Sequence, residues 1–132
     1  MVAYLREIDE KTVLGSLVTR VAGGDKAAFR RLYARLHTSV CDEVAGTLSR
    51  HAEVPAVVSS TFVEVWWLSR HHTAPGTDIR RWIAGIATAR AAERERAPER
   101  GGLLPPEASH VTLRQLLGES GPSARARRVI SA

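Results

Sequence analysis

The chain has 132 residues, enough for one domain with a hydrophobic core, and its 44% apolar fraction excludes wholesale disorder. Aromatic residues make up 5% and the β-branched residues do not alternate, which favours helices over sheet. The formal charge of +5 is compatible with phosphate binding, a single cysteine excludes an intrachain disulfide, and no apolar run is long enough to span a bilayer.

The spacing of Val13, Leu14, Leu17, Val18 and Val21 predicts a first helix over Glu10 to Ala22, stopped by Gly23 and Gly24. Asp25 is the expected N-cap of a long second helix reaching about Arg50. Its apolar stripe is Phe29, Leu32, Tyr33, Leu36, Val40, Val44 and Leu48, with Arg30, Arg31 and Arg35 in solvent. A break at His51 to Val54 precedes a third helix with Pro55 in its first turn and Val58, Phe62, Val65 and Trp66 inward, ending near Arg70. Pro75-Gly76 marks a turn, and Asp78 caps a fourth helix from Ile79 to about Arg96, with Trp82, Ile83, Ile86 and Ala89 inward. Beyond Pro98, Gly101-Gly102, Pro105-Pro106 and Gly121-Pro122 break the periodicity. Residues 98–132 read as a flexible basic extension with short helices available at His110 to Leu117 and Ser123 to Ile130. The expected fold is an all-α bundle of about four helices over residues 1–97, followed by this tail.

Three segments in this order carry more information than any element alone. Gly24, Asp25, Ala28, Phe29, Leu32, Tyr33 and Arg35 follow a "GD..AF..LY.R" pattern. Phe62 and Trp66 follow "F...W", and Trp82, Ile83, Ile86 and Ala87 follow "WL..IA". Over roughly residues 16–97 the chain resembles region 2 of the extracytoplasmic-function (ECF) sigma factors of the sigma-70 family. The resemblance implies a helical domain that docks on the β′ clamp of core RNA polymerase and opens the promoter −10 element.

The resemblance also implies two working surfaces. The polymerase-facing one is the exposed face of the third helix: Ser59, Ser60, Val63, Glu64 and Trp67. Where the family has an acid, a glutamine and a glutamate, this chain has Ala56, Ser59 and Ser60, so Glu64 is the acid left to meet a clamp arginine. The second surface would hold a flipped base and backbone phosphates through His71, His72, Arg80, Arg81, Arg90 and Arg94. There "IARN" reads Ile86, Ala87, Thr88, Ala89, and Glu93 and Glu95 bring repulsive charge. Region 4, the promoter −35 reader of these factors, has no counterpart after Ala97. The expectation is a lone region 2-like protein, with a truncated piece as the alternative.

Local readings stand beside these. Arg90 can pair with Glu93 instead of DNA. Trp66 and Trp67, about 100° apart on a helix, cannot share one core site, so Trp67 either anchors an interface or lies over the following loop. Cys41 reads as a small core residue. No Ser/His/Asp set, phosphate-cradling glycine loop or carboxylate pair points to an enzyme, and neither a cofactor nor a metal site is expected. The N-terminus lacks a signal-peptide core, which places the protein in the cytoplasm. Two functions follow: a sigma-like protein binding core polymerase and −10 DNA, or a degenerate region 2 module that binds a regulatory partner such as an anti-sigma factor, or itself, without opening promoters.

Overall fold

In a computed structural model the described residues are 2–71, 76–96 and 106–118, with side chains placed from residue 9 onward in the first stretch and from 109 in the last. Five packed helices occupy them: α1 (Val2–Ala22), α2 (Lys26–Thr47), α3 (Val54–Leu68), α4 (Ile79–Arg96) and α5 (Pro106–Leu116). The all-α expectation holds for these residues. The count rises from about four because α5 is a packed helix inside the stretch expected to be a flexible extension. The second tail helix expected, Ser123 to Ile130 with Arg125, Arg127 and Arg128, lies outside the described residues.

The junction between α1 and α2 shows how locally this fold is written. Gly24 has φ 89°, which a residue with a Cβ adopts only under strain. With Gly24 in that conformation, its N–H donates to the Val21 carbonyl at 2.9 Å and the Asp25 N–H to the Arg20 carbonyl at 3.0 Å, closing the end of α1. The chain reverses, and Asp25 Oδ1 accepts the Ala28 N–H at 3.0 Å to start α2. Arg20 reaches back to Asp25, with Nε donating to Oδ2 at 3.0 Å. The Ala28 amide, then Arg20, hold the Asp25 carboxyl below its ordinary range.

This junction yields a paired prediction. A Cβ at Gly24 would meet nothing within 4 Å, so Gly24→Ala carries only backbone strain, about 1–2 kcal/mol. A Cβ at Gly15, inside α1, also meets nothing. There the ordinary helical backbone makes Gly15→Ala a gain of about 0.5–1 kcal/mol. Urea unfolding of the two variants checks both signs.

α1 begins at Val2 rather than near Glu10, because nothing between them breaks a helix and Ala3, Leu5, Arg6 and Glu7 are good helix formers. α2 ends at Thr47, and a 3-10 turn, His51–Glu53, fills the expected break before α3. Pro55 sits in the first turn of α3, as expected.

The motif residues of the three segments meet in one core. The Phe29 ring stands edge-on to Trp66 with centroids 5.3 Å apart. Tyr33 meets Phe62 in the same manner at 4.8 Å. Val58, Phe62, Val65 and Trp66 are all buried, as are Ile79, Ile83, Ala87 and Ala91 of α4. The last set corrects the inward face expected for α4: Ala89 is exposed and Trp82 and Ile86 are partly buried. The buried row advances by fours from Ile79, whereas the three-residue step from Ile86 carries Ala89 round to the solvent side. Buried hydroxyls are satisfied locally, Thr61 donating to the Val57 carbonyl at 2.9 Å and Ser69 to that of Val65 at 2.6 Å. No helix among the described residues is long and apolar enough to cross a membrane.

Candidate functional site

α3 carries the first expected surface. Ala56, Ser59, Ser60, Val63 and Trp67 recur at steps of three and four and share one strip of the helix, with Glu64 at its edge. Most of that strip is covered. α5 packs along α3, with Ser109, Leu113, Leu116 and Leu117 buried. Ser59 Oγ lies 3.2 Å from His110 Nδ1, and Ser60 Oγ lies 3.3 Å from Ser109 Oγ. These two neighbouring serines flank the midline of the strip, so α5 runs over it. Ser59 and Val63 are buried and Ser60 partly so. Trp67 escapes, 55% exposed at the C-terminal end of the strip, with Leu68 beside it at 36%. Its neighbour Trp66 is 7% exposed, so the two tryptophans separate into core and surface as helix geometry requires.

Glu64 is engaged too. Arg90 Nε donates to Glu64 Oε2 at 2.7 Å and Arg90 Nη2 to Oε1 at 2.8 Å, a two-point fork between α3 and α4. Arg90 Nη1 also donates to Glu93 at 2.7 Å, the local pair foreseen in the sequence. Glu64 above all holds the guanidinium more firmly protonated than usual.

The second surface is drawn toward its neighbours in the same way. Arg80 donates through Nε to Glu10 Oε1 of α1 at 2.8 Å, and through Nη2 to the same oxygen. Arg94 Nε stands 3.3 Å from Glu53 Oε1, an ion pair without hydrogen-bond alignment. Arg81 lies about 100° round α4 from Arg80. It is exposed and has no ion-pair partner among the described residues, while its amide donates to Asp78 Oδ1 at 3.2 Å. His71 is exposed at the end of a 3-10 turn, Ser69–His71. His72 lies outside the described residues. The structure thus brings Arg80, Arg90 and Arg94 into four ion pairs, two of them made by Arg90, rather than one free basic track.

Glu95, read from sequence as a repulsive charge, accepts from the Ser49 amide at 3.1 Å and the Ser49 hydroxyl at 2.6 Å. Arg50 binds Glu53 at 2.8 Å and the Arg94 carbonyl at 3.1 Å, so the ends of α2 and α4 are tied by a polar cluster. Sequence reasoning missed Glu10, Glu53, Ser109 and His110 as partners of the expected site residues. Arg80 and Glu10 are 70 residues apart and carry no local pattern that pairs them. Cys41 is half-buried with Sγ 3.6 Å from His37 Nε2, and burial followed by the Asp42 charge pushes its thiol pKa up, which suits a packing residue. No group of three or more His, Cys, Asp or Glu among the described residues could hold a metal ion.

Compared with known family models, curated proteins and solved structures, the chain matches none.

Proposed function

We propose that this chain is a sigma-factor-like transcription regulator that meets core RNA polymerase through α3 and promoter −10 DNA along α4. One observation carries the reading. The residues that resemble region 2 of the ECF sigma factors come from three separated segments, and they pack on one another: Phe29 on Trp66, Tyr33 on Phe62, with Ile83 and Ala87 buried in the same core. This packing is the arrangement the resemblance expects of those residues. On this reading Trp67 and Glu64 lie toward the polymerase, and Arg81 and His71 are the groups already open to a DNA strand. Arg80, Arg90 and Arg94 reach phosphate by exchanging a carboxylate for it.

That exchange also favours a second reading, a region 2-like module that works through protein contact alone, with an anti-sigma-like partner or a second copy. Of Arg80, Arg81, Arg90 and Arg94, all but Arg81 are already paired with Glu10, Glu64, Glu93 or Glu53, and exposed Trp67 suits a protein partner.

Titrating the polymerase-bound chain with labelled single-stranded −10 DNA at several salt concentrations separates the two. The first reading expects binding that weakens with salt, and Arg81→Glu lowering the slope of log K against log salt by about 0.7 for each phosphate no longer neutralised. No salt-dependent DNA binding, together with a stable dimer of the free chain that buries Trp67, selects the second.

A further inference from the structure

We propose that α5 is an autoinhibitory cover, a helix of this chain that occupies the α3 strip and must leave before a partner can use it. The inference rests on the reading that α3 is the polymerase-facing helix. The cover lies on the strip itself: Ser59 and Ser60, two of the residues assigned to that contact, are engaged with His110 and Ser109 of α5. Both engagements join side chains that water satisfies equally well once they separate. The apolar hold comes from Leu113 and Leu116 on α5 and Leu117 just past its end, while His110, Val111, Arg114 and Gln115 face solvent.

α5 has 11 residues. A helix that short is marginal in water on its own, so it is held by the surface it covers rather than by its own propensity. Such peripheral elements open at a lower free energy than the core. The core that joins α2, α3 and α4 has its own aromatic pairs, Phe29 with Trp66 and Tyr33 with Phe62, and none of these four residues belongs to α5. Residues 97–105, with Gly101-Gly102 in the sequence, join α4 to α5 and keep a released helix close to its strip.

The consequence is quantitative. A partner that needs the strip binds only the open form, and its apparent affinity falls by the open fraction. Exposed Trp67, at the uncovered end of the same strip, gives such a partner a first contact before α5 leaves.

Two full-length variants test this in opposite directions. Leu113→Asp with Leu117→Asp puts carboxylates in the apolar hold of α5 and opens it. Ser60→Cys with Ser109→Cys, in a Cys41→Ser background, joins positions whose side-chain oxygens are 3.3 Å apart and locks it shut when oxidised. Hydrogen exchange at the α5 amides reports release, and interferometry against core RNA polymerase reports binding. The expected result is loss of α5 protection with at least about tenfold tighter binding for the opened variant. The oxidised lock should bind at least about tenfold more weakly than the same protein reduced. Equal affinities for the unmodified chain, the opened variant and both redox states of the lock would overturn the cover and leave polymerase binding standing. No binding by any form, with α5 protection lost in the opened variant, would overturn the polymerase reading and the cover with it. Should the aspartates unfold the protein, the lock decides alone, because it compares one protein with itself before and after reduction.

Discussion

Phe29→Ala is expected to destabilise the protein by about 3–5 kcal/mol, the usual cost of emptying an aromatic site in a core. Phe29 is fully buried and its ring is edge-on to Trp66, so the substitution removes both the apolar burial and the aromatic pairing. The space cannot refill easily, because Leu32, Leu36 and Val65 around this core are themselves fully or almost fully buried. Native domains have total stabilities of about 5–15 kcal/mol, so this one change brings the protein near its unfolding threshold. Val111→Ala, at a position 55% exposed on α5, is the control and should change stability by less than about 0.5 kcal/mol. Urea unfolding followed by far-ultraviolet circular dichroism measures both.

The second large effect concerns the fork between α3 and α4. Arg90→Glu sets a carboxylate against Glu64 and Glu93, both of which Arg90 now neutralises. Breaking a fully buried pair would cost more, but the Arg90 and Glu64 side chains are 33% and 28% exposed and water screens them. The expected loss is about 1–2 kcal/mol. Glu64→Arg alone should cost a similar amount by placing two guanidiniums together. The double exchange, Glu64→Arg with Arg90→Glu, restores an opposite-charge pair and should recover at least half of either loss, which a double-mutant cycle in thermal unfolding reads directly. Glu64 is therefore an ambiguous reporter of polymerase contact, since any change there also loosens α4. Trp67, largely exposed and outside the core, reports on the surface without that confusion.

What the sequence made legible follows from the range over which each signal acts. The Gly24–Asp25 junction was readable because both caps are local: a left-handed residue and a carboxylate three residues before the amide it accepts. The buried rows of α2 and α3 were readable because apolar spacing repeats over many turns. In α4 the same reasoning misplaced Ala89, since alanines occupy several faces of that helix and the pattern alone does not say which one packs. α5 was visible as helix-forming sequence, but its docking was not. Its apolar face is short, and its partner on α3 is a serine-rich strip that looks solvated until Ser109 and His110 come to meet it. The ion pairs of Arg80 with Glu10 and of Arg90 with Glu64 were illegible for a related reason. They join helices distant in sequence, and charge pairing of that kind leaves no periodic trace. The resemblance was carried by core residues, so it spoke to the fold. The proposed contacts fall at positions such as Ala56, Ser59 and Ser60, where this chain departs from the pattern.

Photo-cross-linking from position 67 tests the proposed α3 contact with core RNA polymerase most directly. A benzophenone amino acid replaces Trp67 in the full chain, which is then irradiated with core RNA polymerase. The expected product is an adduct with the β′ clamp that strengthens when Leu113→Asp and Leu117→Asp open α5. Adducts only with a second copy of the chain, or with no polymerase subunit even in the opened variant, would contradict it.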